Sequence, residues 1–150
     1  MVASALFSFL HFIAVLVIAG TLFFEWLTLT QTPSLAEARR LQWADRWYGI
    51  AAGVLLVVGL VRVFQFEKGK DYYFSNVFFM LKIALFVAVG LISIYPTMRF
   101  IAWAKLTRQG QMPVVSAPEL KRLRQALGAE LVLLAGIVLC ASLMAKGLGS

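Results

Sequence analysis

The 150-residue sequence has little charge and few of the residues that form disulfides or bind metal ions. Only 14% of it is Asp, Glu, Lys or Arg, where soluble domains carry about 25%, and 61% is hydrophobic. One cysteine, Cys140, excludes a disulfide scaffold, and one histidine excludes a zinc site unless carboxylates supply most of the ligands. Such a chain is too apolar for disorder and cannot bury all its apolar side chains in one water-soluble core. Lipid must therefore be part of its solvent.

Common catalytic motifs are also missing. The sequence contains no Cys-x-x-Cys pair, phosphate-binding loop, dinucleotide-binding fingerprint or Ser–His–Asp arrangement. Redox or tetrapyrrole chemistry would therefore depend on a bound cofactor.

Four long apolar stretches are present, each near the length of about 20 residues that a membrane-crossing helix requires. Residues 2–24 and 47–61 contain no charged residue, residues 72–98 contain only Lys82, and residues 125–145 contain only Glu130. We predict an all-α fold, a transmembrane four-helix bundle that forms one integral-membrane domain over residues 1–150. The predicted spans are about 2–28, 42–64, 74–100 and 120–146.

Residues that start or kink helices occur between and within these stretches. Ser34 with Glu37, and Ser116 with Glu119, have the spacing of a capping box, which predicts helix starts at both serines. Pro96 lies inside the third stretch and removes a backbone donor there, so we expect a kink.

The distribution of basic residues predicts the orientation. The chain has 14 Lys and Arg against 7 Asp and Glu, a net charge of +7, but no basic stretch interleaved with aromatics, so nucleic acid is not expected as a partner. One side of the membrane carries nine basic residues and the other four. The nine are Arg39, Arg40, Arg46, Arg99, Lys105, Arg108, Lys121, Arg122 and Arg124. The positive-inside rule then places both termini on the non-cytoplasmic side, the periplasm of a bacterial inner membrane.

Three basic side chains are predicted at the outer level of the spans. At about 1.5 Å per residue, His11 lies roughly 4 Å and Lys82 roughly 6 Å outside the span centres, and Arg62 is near in height. A cationic group at this depth favours an anionic ligand, and a neutral imidazole can bind a metal. Heme would satisfy both requirements, because its iron could bind the imidazole and its propionates could bind the cationic groups. Alternatively, His11 is a hydrogen-bonded packing residue, and Lys82 extends to the headgroups or pairs with Glu67 or Asp71.

Three acidic side chains are predicted at the inner level of the spans. Glu25, Asp45 and Glu130 lie there, with Arg46 and Arg99 as available counter-charges. We expect Asp45 and Arg46 to form an interfacial ion pair and Glu130 to pair with an arginine. The alternative for the three acids is a proton-linked role.

The order of these features resembles an uncharacterised family of bacterial four-span inner-membrane proteins over essentially the whole chain. The stretches that carry the resemblance are Leu10-His11-Phe12, Glu25-Trp26, Asp45-Arg46-Trp47-Tyr48-Gly49, Phe79-Met80-Leu81-Lys82, Ser93-Ile94-Tyr95-Pro96-Thr97 and Met144-Ala145-Lys146-Gly147. This resemblance implies the four-span fold and no particular activity.

More distantly, the chain resembles the heme-containing, oxygen-independent protoporphyrinogen oxidases and the membrane part of copper-resistance D proteins. The shared layout is Leu10-His11 in helix one, Arg39-Arg40-Leu41 entering helix two, Leu81-Lys82 in helix three and Glu130 in helix four. The resemblance to the oxidases implies functional roles for His11 and Lys82.

Three functions are consistent with the sequence. The first is a membrane protein that binds heme b or a porphyrin, with a redox role, in which His11 is the metal ligand and Lys82 and Arg62 hold the propionates. The second is a non-catalytic subunit or assembly factor of a larger, respiratory-type membrane complex, without a cofactor. The third is transport of protons or small solutes by an oligomer, through the inner acidic residues. The expected partners are the lipid bilayer and a homodimer or larger complex.

Overall fold

The computed structural model describes residues 2–66 and 74–149, and it is helical throughout these ranges except for short connections. The helices are α1 (Val2–Thr28), α2 (Leu35–Val61), α3 (Val77–Arg108) and α4 (Ala117–Ala145), and a π-helical turn (Arg62–Phe66) extends α2. All four helices are long and apolar enough to cross a membrane, and the described ranges contain no strand. The predicted all-α class with four candidate spans is therefore confirmed. The sidedness of the termini stays a prediction.

The predicted caps begin two of the helices. At α2, the Ser34 hydroxyl accepts from the Glu37 N–H at 3.1 Å, and the Glu37 carboxylate accepts from the Ser34 N–H at 2.7 Å. At α4, the Ser116 hydroxyl accepts from the Glu119 N–H at 3.3 Å, but the Glu119 carboxylate binds Arg99 instead of the cap. Helix α2 therefore begins before the apolar part of its span, and α4 begins with half of a capping box.

The helices form a ring in chain order. Helix α1 packs along α2 and α3 along α4, with smaller contacts between α2 and α3 and between α1 and α4. In the described ranges, no close backbone contact joins α1 to α3 or α2 to α4, so these pairs occupy diagonal corners. A side chain that links α2 to α4 must therefore cross the interior.

The two ends of the bundle differ in packing. The end that carries loops 29–34 and 109–116, called the loop end below, holds the fully buried Leu29, Leu41, Phe100 and Leu123. The opposite end, called the terminal end, contains the start of α1, and no described residue of α1 before Ala14 is buried. Most of the tightly packed core therefore lies toward the loop end.

Candidate functional site

Two glutamates occupy core positions on α1 and α4. Two sets of four residues follow the same 4-3-4 spacing, which keeps each set on the helix face that packs against its neighbours. The two sets are Ile18, Leu22 and Glu25 on α1 with Leu29 directly after its end, and Leu123, Leu127, Glu130 and Leu134 on α4. Glu25 is 1% exposed and Glu130 is 0% exposed. The fold therefore buries a carboxyl group where each stripe would otherwise carry an apolar residue.

Helix α2 contributes an acid and a phenol one turn apart. Asp45 and Tyr48 are both buried, since an i, i+3 spacing places them on one face of the helix. The Thr97 hydroxyl on α3 donates to Asp45 Oδ1 at 2.6 Å. Ser93, one turn before Thr97, lies beside the Tyr48 hydroxyl and donates to the Gly90 carbonyl at 2.7 Å. Helix α3 thus presents two hydroxyls to the polar residues of α2.

One hydrogen bond crosses the bundle interior. The Tyr48 hydroxyl on α2 donates to Glu130 Oε2 on the diagonal helix α4 at 2.9 Å. Both side chains are buried, so this bond joins helices that make no backbone contact in the described ranges. It places Glu130 at the centre of the four helices.

The glutamates retain unused acceptors. Glu25 Oε1 and Glu130 Oε1 are buried and have no hydrogen-bond partner in the described part of the chain. Asp45 and Glu130 are both close enough to Glu25 to interact with it electrostatically, and Asp45 acts on Glu130 in the same way. We call Glu25, Asp45, Glu130, Tyr48 and Thr97 the carboxyl cluster, to which all four helices contribute.

The arginines expected as counter-charges are engaged or located elsewhere. Arg99 forms an ion pair with Glu119, and its Nε donates to Glu119 Oε1 at 2.6 Å. Arg46 is exposed, whereas the adjacent Asp45 is buried and bound to Thr97. The expected Asp45–Arg46 ion pair and the expected pairing of Glu130 with an arginine are therefore wrong. Successive residues on a helix point in different directions, which explains the first error.

Two other arginines bind backbone carbonyls at helix ends. Arg39 Nη2 donates to the Thr107 carbonyl at 3.1 Å, and Arg124 Nη2 donates to the Leu29 carbonyl at 3.0 Å. Cations at helix C-termini satisfy carbonyls that have no intrahelical partner. These guanidinium groups stabilise the loop end without neutralising the carboxyl cluster.

The three outer basic residues lie on different elements of the bundle. His11 and Lys82 are half-buried and lie on the diagonal helices α1 and α3, and Arg62 begins the turn after α2. The His11 ring meets Phe12 edge-on, with centroids 6.3 Å apart, and Lys82 Nζ lies 4.9 Å from the centroid of the Phe79 ring.

Two surface cavities, of about 360 and about 330 Å³, are lined by other residues than these three. Heme binding by His11, Lys82 and Arg62 stays a prediction. The alternative pairing of Lys82 with Glu67 or Asp71 falls on residues outside the described ranges.

Tyr48 and Thr97 are site residues that reasoning from the sequence missed. Their signal is the spacing of Asp45 with Tyr48 (i, i+3) and of Ser93 with Thr97 (i, i+4), which puts each polar pair on one helix face. The repeated 4-3-4 stripe similarly indicates that Glu25 and Glu130 face the interior. These spacings identify the faces but not which faces meet.

Comparison with known proteins identifies a family and nothing more specific. No curated protein and no solved structure matches the chain. A family model does match, over residues 3–149. Four apolar helices that are long enough to cross a membrane agree with its description. The chain therefore belongs to the family described as "Predicted membrane protein (DUF2214)".

Proposed function

We propose that this integral membrane protein binds and exchanges protons at its carboxyl cluster, as a proton-linked carrier or channel of the bacterial inner membrane. Of the three functions consistent with the sequence, this is the third. The observation that carries the proposal is the presence of two fully buried glutamates, each with an oxygen that lacks a partner in the described ranges.

The charge of the cluster supports a proton-binding role. Glu25, Asp45 and Glu130 interact with one another, and their described hydrogen-bond partners are the neutral hydroxyls of Tyr48 and Thr97. Several buried carboxylates without a cationic partner cannot all stay ionised, because each charge loses its hydration and repels the others. A shared proton removes this cost and gives an unused oxygen a donor.

The geometry favours a proton over a metal ion. Hard cations such as Ca²⁺ and Mg²⁺ require several oxygens that converge at about 2.0–2.6 Å from one point. In the described ranges, no group of three or more acidic, histidine or cysteine side chains is placed to hold a metal ion. A proton requires only one carboxyl oxygen at a time, which the cluster offers.

Hydroxyl groups bind two of the three acids. The Tyr48 and Thr97 hydroxyls each donate to a carboxyl oxygen, and a hydroxyl can accept a proton as well as donate one. Glu25 lies one turn before the end of α1, next to loop 29–34. We therefore propose that protons reach the cluster from the loop end, which the positive-inside rule assigns to the cytoplasm.

The test is proton flux into liposomes that contain the purified full chain and an entrapped pH-sensitive dye. An imposed potential should acidify the lumen faster than in protein-free vesicles, and Glu25→Gln/Glu130→Gln should reduce this rate to the protein-free level. Glutamine keeps the shape of glutamate but does not exchange a proton. The matched control is Glu37→Gln, which removes an acid outside the cluster. Equal rates for the wild type and the double variant, or no flux in the wild type, would contradict the proposal.

Heme binding at His11 and an accessory role in a larger complex remain the alternatives from the sequence.

A further inference from the structure

We propose that a groove between α1 and α2 is a binding site for one anionic phospholipid. The groove has a volume of about 360 Å³ and lies open at the surface of these two helices. Its lining residues are Gly20, Thr21, Phe24, Arg40, Trp43 and Ala44. We call it the α1–α2 groove. It contains no residue of the carboxyl cluster, so the inference does not depend on the proposed function.

The groove is charged at one end and apolar at the other. Arg40 follows the Ser34 cap by six residues, about 9 Å along α2, whereas Ala44 lies one turn deeper. Because α1 and α2 are antiparallel neighbours joined by a short loop, Phe24 lies near the level of Arg40, and Gly20 near that of Ala44. The charged end therefore faces the membrane surface, and the small residues face the bilayer interior.

Among the described residues that line the groove, Arg40 is the only charged one. It is exposed and makes no ion pair or hydrogen bond in the described ranges, whereas Arg39, Arg99 and Arg124 are all engaged. Glu37, one turn earlier, attracts Arg40 electrostatically without forming an ion-pair contact, and its carboxylate accepts from the Ser34 N–H. A guanidinium group binds phosphate through paired, charge-assisted hydrogen bonds, so Arg40 is suited to a lipid phosphate.

The remainder of the groove fits an acyl chain better than a free phosphate ion. Gly20 leaves open space, since a Cβ there would meet no heavy atom within 4 Å. The Thr21 hydroxyl donates to the Val17 and Ile18 carbonyls of its own helix, so it offers no donor to a second phosphate contact. The aromatic Trp43 and Phe24 flank the site, as side chains in the interfacial region of a membrane commonly do.

Lipid competition measured by native mass spectrometry tests the proposal on the full chain. Protein in mixed micelles is titrated with phosphatidylglycerol and, separately, with phosphatidylcholine. We expect the first phosphatidylglycerol to bind preferentially, and Arg40→Gln to weaken it about 10-fold or more, because a hydrogen bond to a charged group contributes about 1.5–3 kcal/mol. Arg46→Gln is the matched control, since Arg46 is exposed on the same helix but does not line the groove. Equal losses for both variants would overturn the proposal, because they would indicate general attraction to a basic surface.

A second variant tests the apolar half of the groove. Gly20→Leu fills open space, so we expect a stable protein that loses the first phosphatidylglycerol. Competition by glycerol phosphate as effective as by the lipid would show that the site binds the phosphate alone, and a dimer lost in Gly20→Leu would show that a second copy occupies the groove. Either result would overturn the assignment to phospholipid.

Discussion

Three ionisable side chains are buried toward the loop end of the bundle, whereas two are only half-buried toward the terminal end. Between the middle of the bundle and the loop end, Glu25, Asp45 and Glu130 are buried within the four helices, and hydroxyl groups bind two of them. Toward the terminal end, His11 and Lys82 are half-buried at diagonal corners and meet aromatic rings. From the sequence, the residues within each of these two groups were predicted to lie at a similar depth in the membrane. The comparison teaches that helix face and packing, rather than depth, decide which ionisable groups form a cluster.

The largest expected difference between the ends is in packing. Phe100→Ala removes a ring that is 1% exposed and packs edge-on against Trp103 at 5.2 Å, and we expect a loss of about 3–5 kcal/mol in the free energy of unfolding. Leu6→Ala at the terminal end is the control, because Leu6 is 55% exposed in the bundle and should change little. Equilibrium unfolding in mixed detergent micelles measures both. Similar losses at the two ends would contradict the described asymmetry.

A smaller effect is expected from the hydrogen bond that crosses the interior. Tyr48→Phe removes the donor to Glu130 and leaves a buried carboxyl without a partner in the described ranges, at a cost of about 1–3 kcal/mol. The same unfolding measurement applies. Tyr95→Phe serves as the control, since Tyr95 lies on α3 but is exposed. Unchanged stability in Tyr48→Phe would mean that the bond contributes nothing to joining α2 and α4.

Much of the fold could be predicted from the sequence. Apolar length gave four spans, and the serine caps gave the starts of α2 and α4. The end of α3 was not predictable in this way, because Arg99, Lys105 and Arg108 end the apolar stretch while the helix continues to Arg108. Hydropathy indicates which part of a helix lies in lipid. The length of the helix also depends on contacts at the loop end.

The sequence predicted which acidic residues form the site but not which side chains bind one another. Similar depth placed Glu25, Asp45 and Glu130 together, and the structure brings them into electrostatic contact. The Tyr48–Glu130 bond was not predictable, because it depends on which helices are diagonal and one sequence does not specify the order of helices in a bundle. For the same reason, the expected association of His11 with Lys82, which rests on similar depth, stays a prediction.

The most direct test of the central claim is the infrared difference spectrum of carboxyl groups in the membrane-embedded protein at neutral pH. We expect a carbonyl band of a protonated carboxyl group that shifts in heavy water, since the buried cluster shares an exchangeable proton. We also expect the band to be lost in Glu25→Gln/Glu130→Gln and retained in Glu37→Gln. A spectrum that shows only ionised carboxylates, or a band unaffected by the double substitution, would contradict the account.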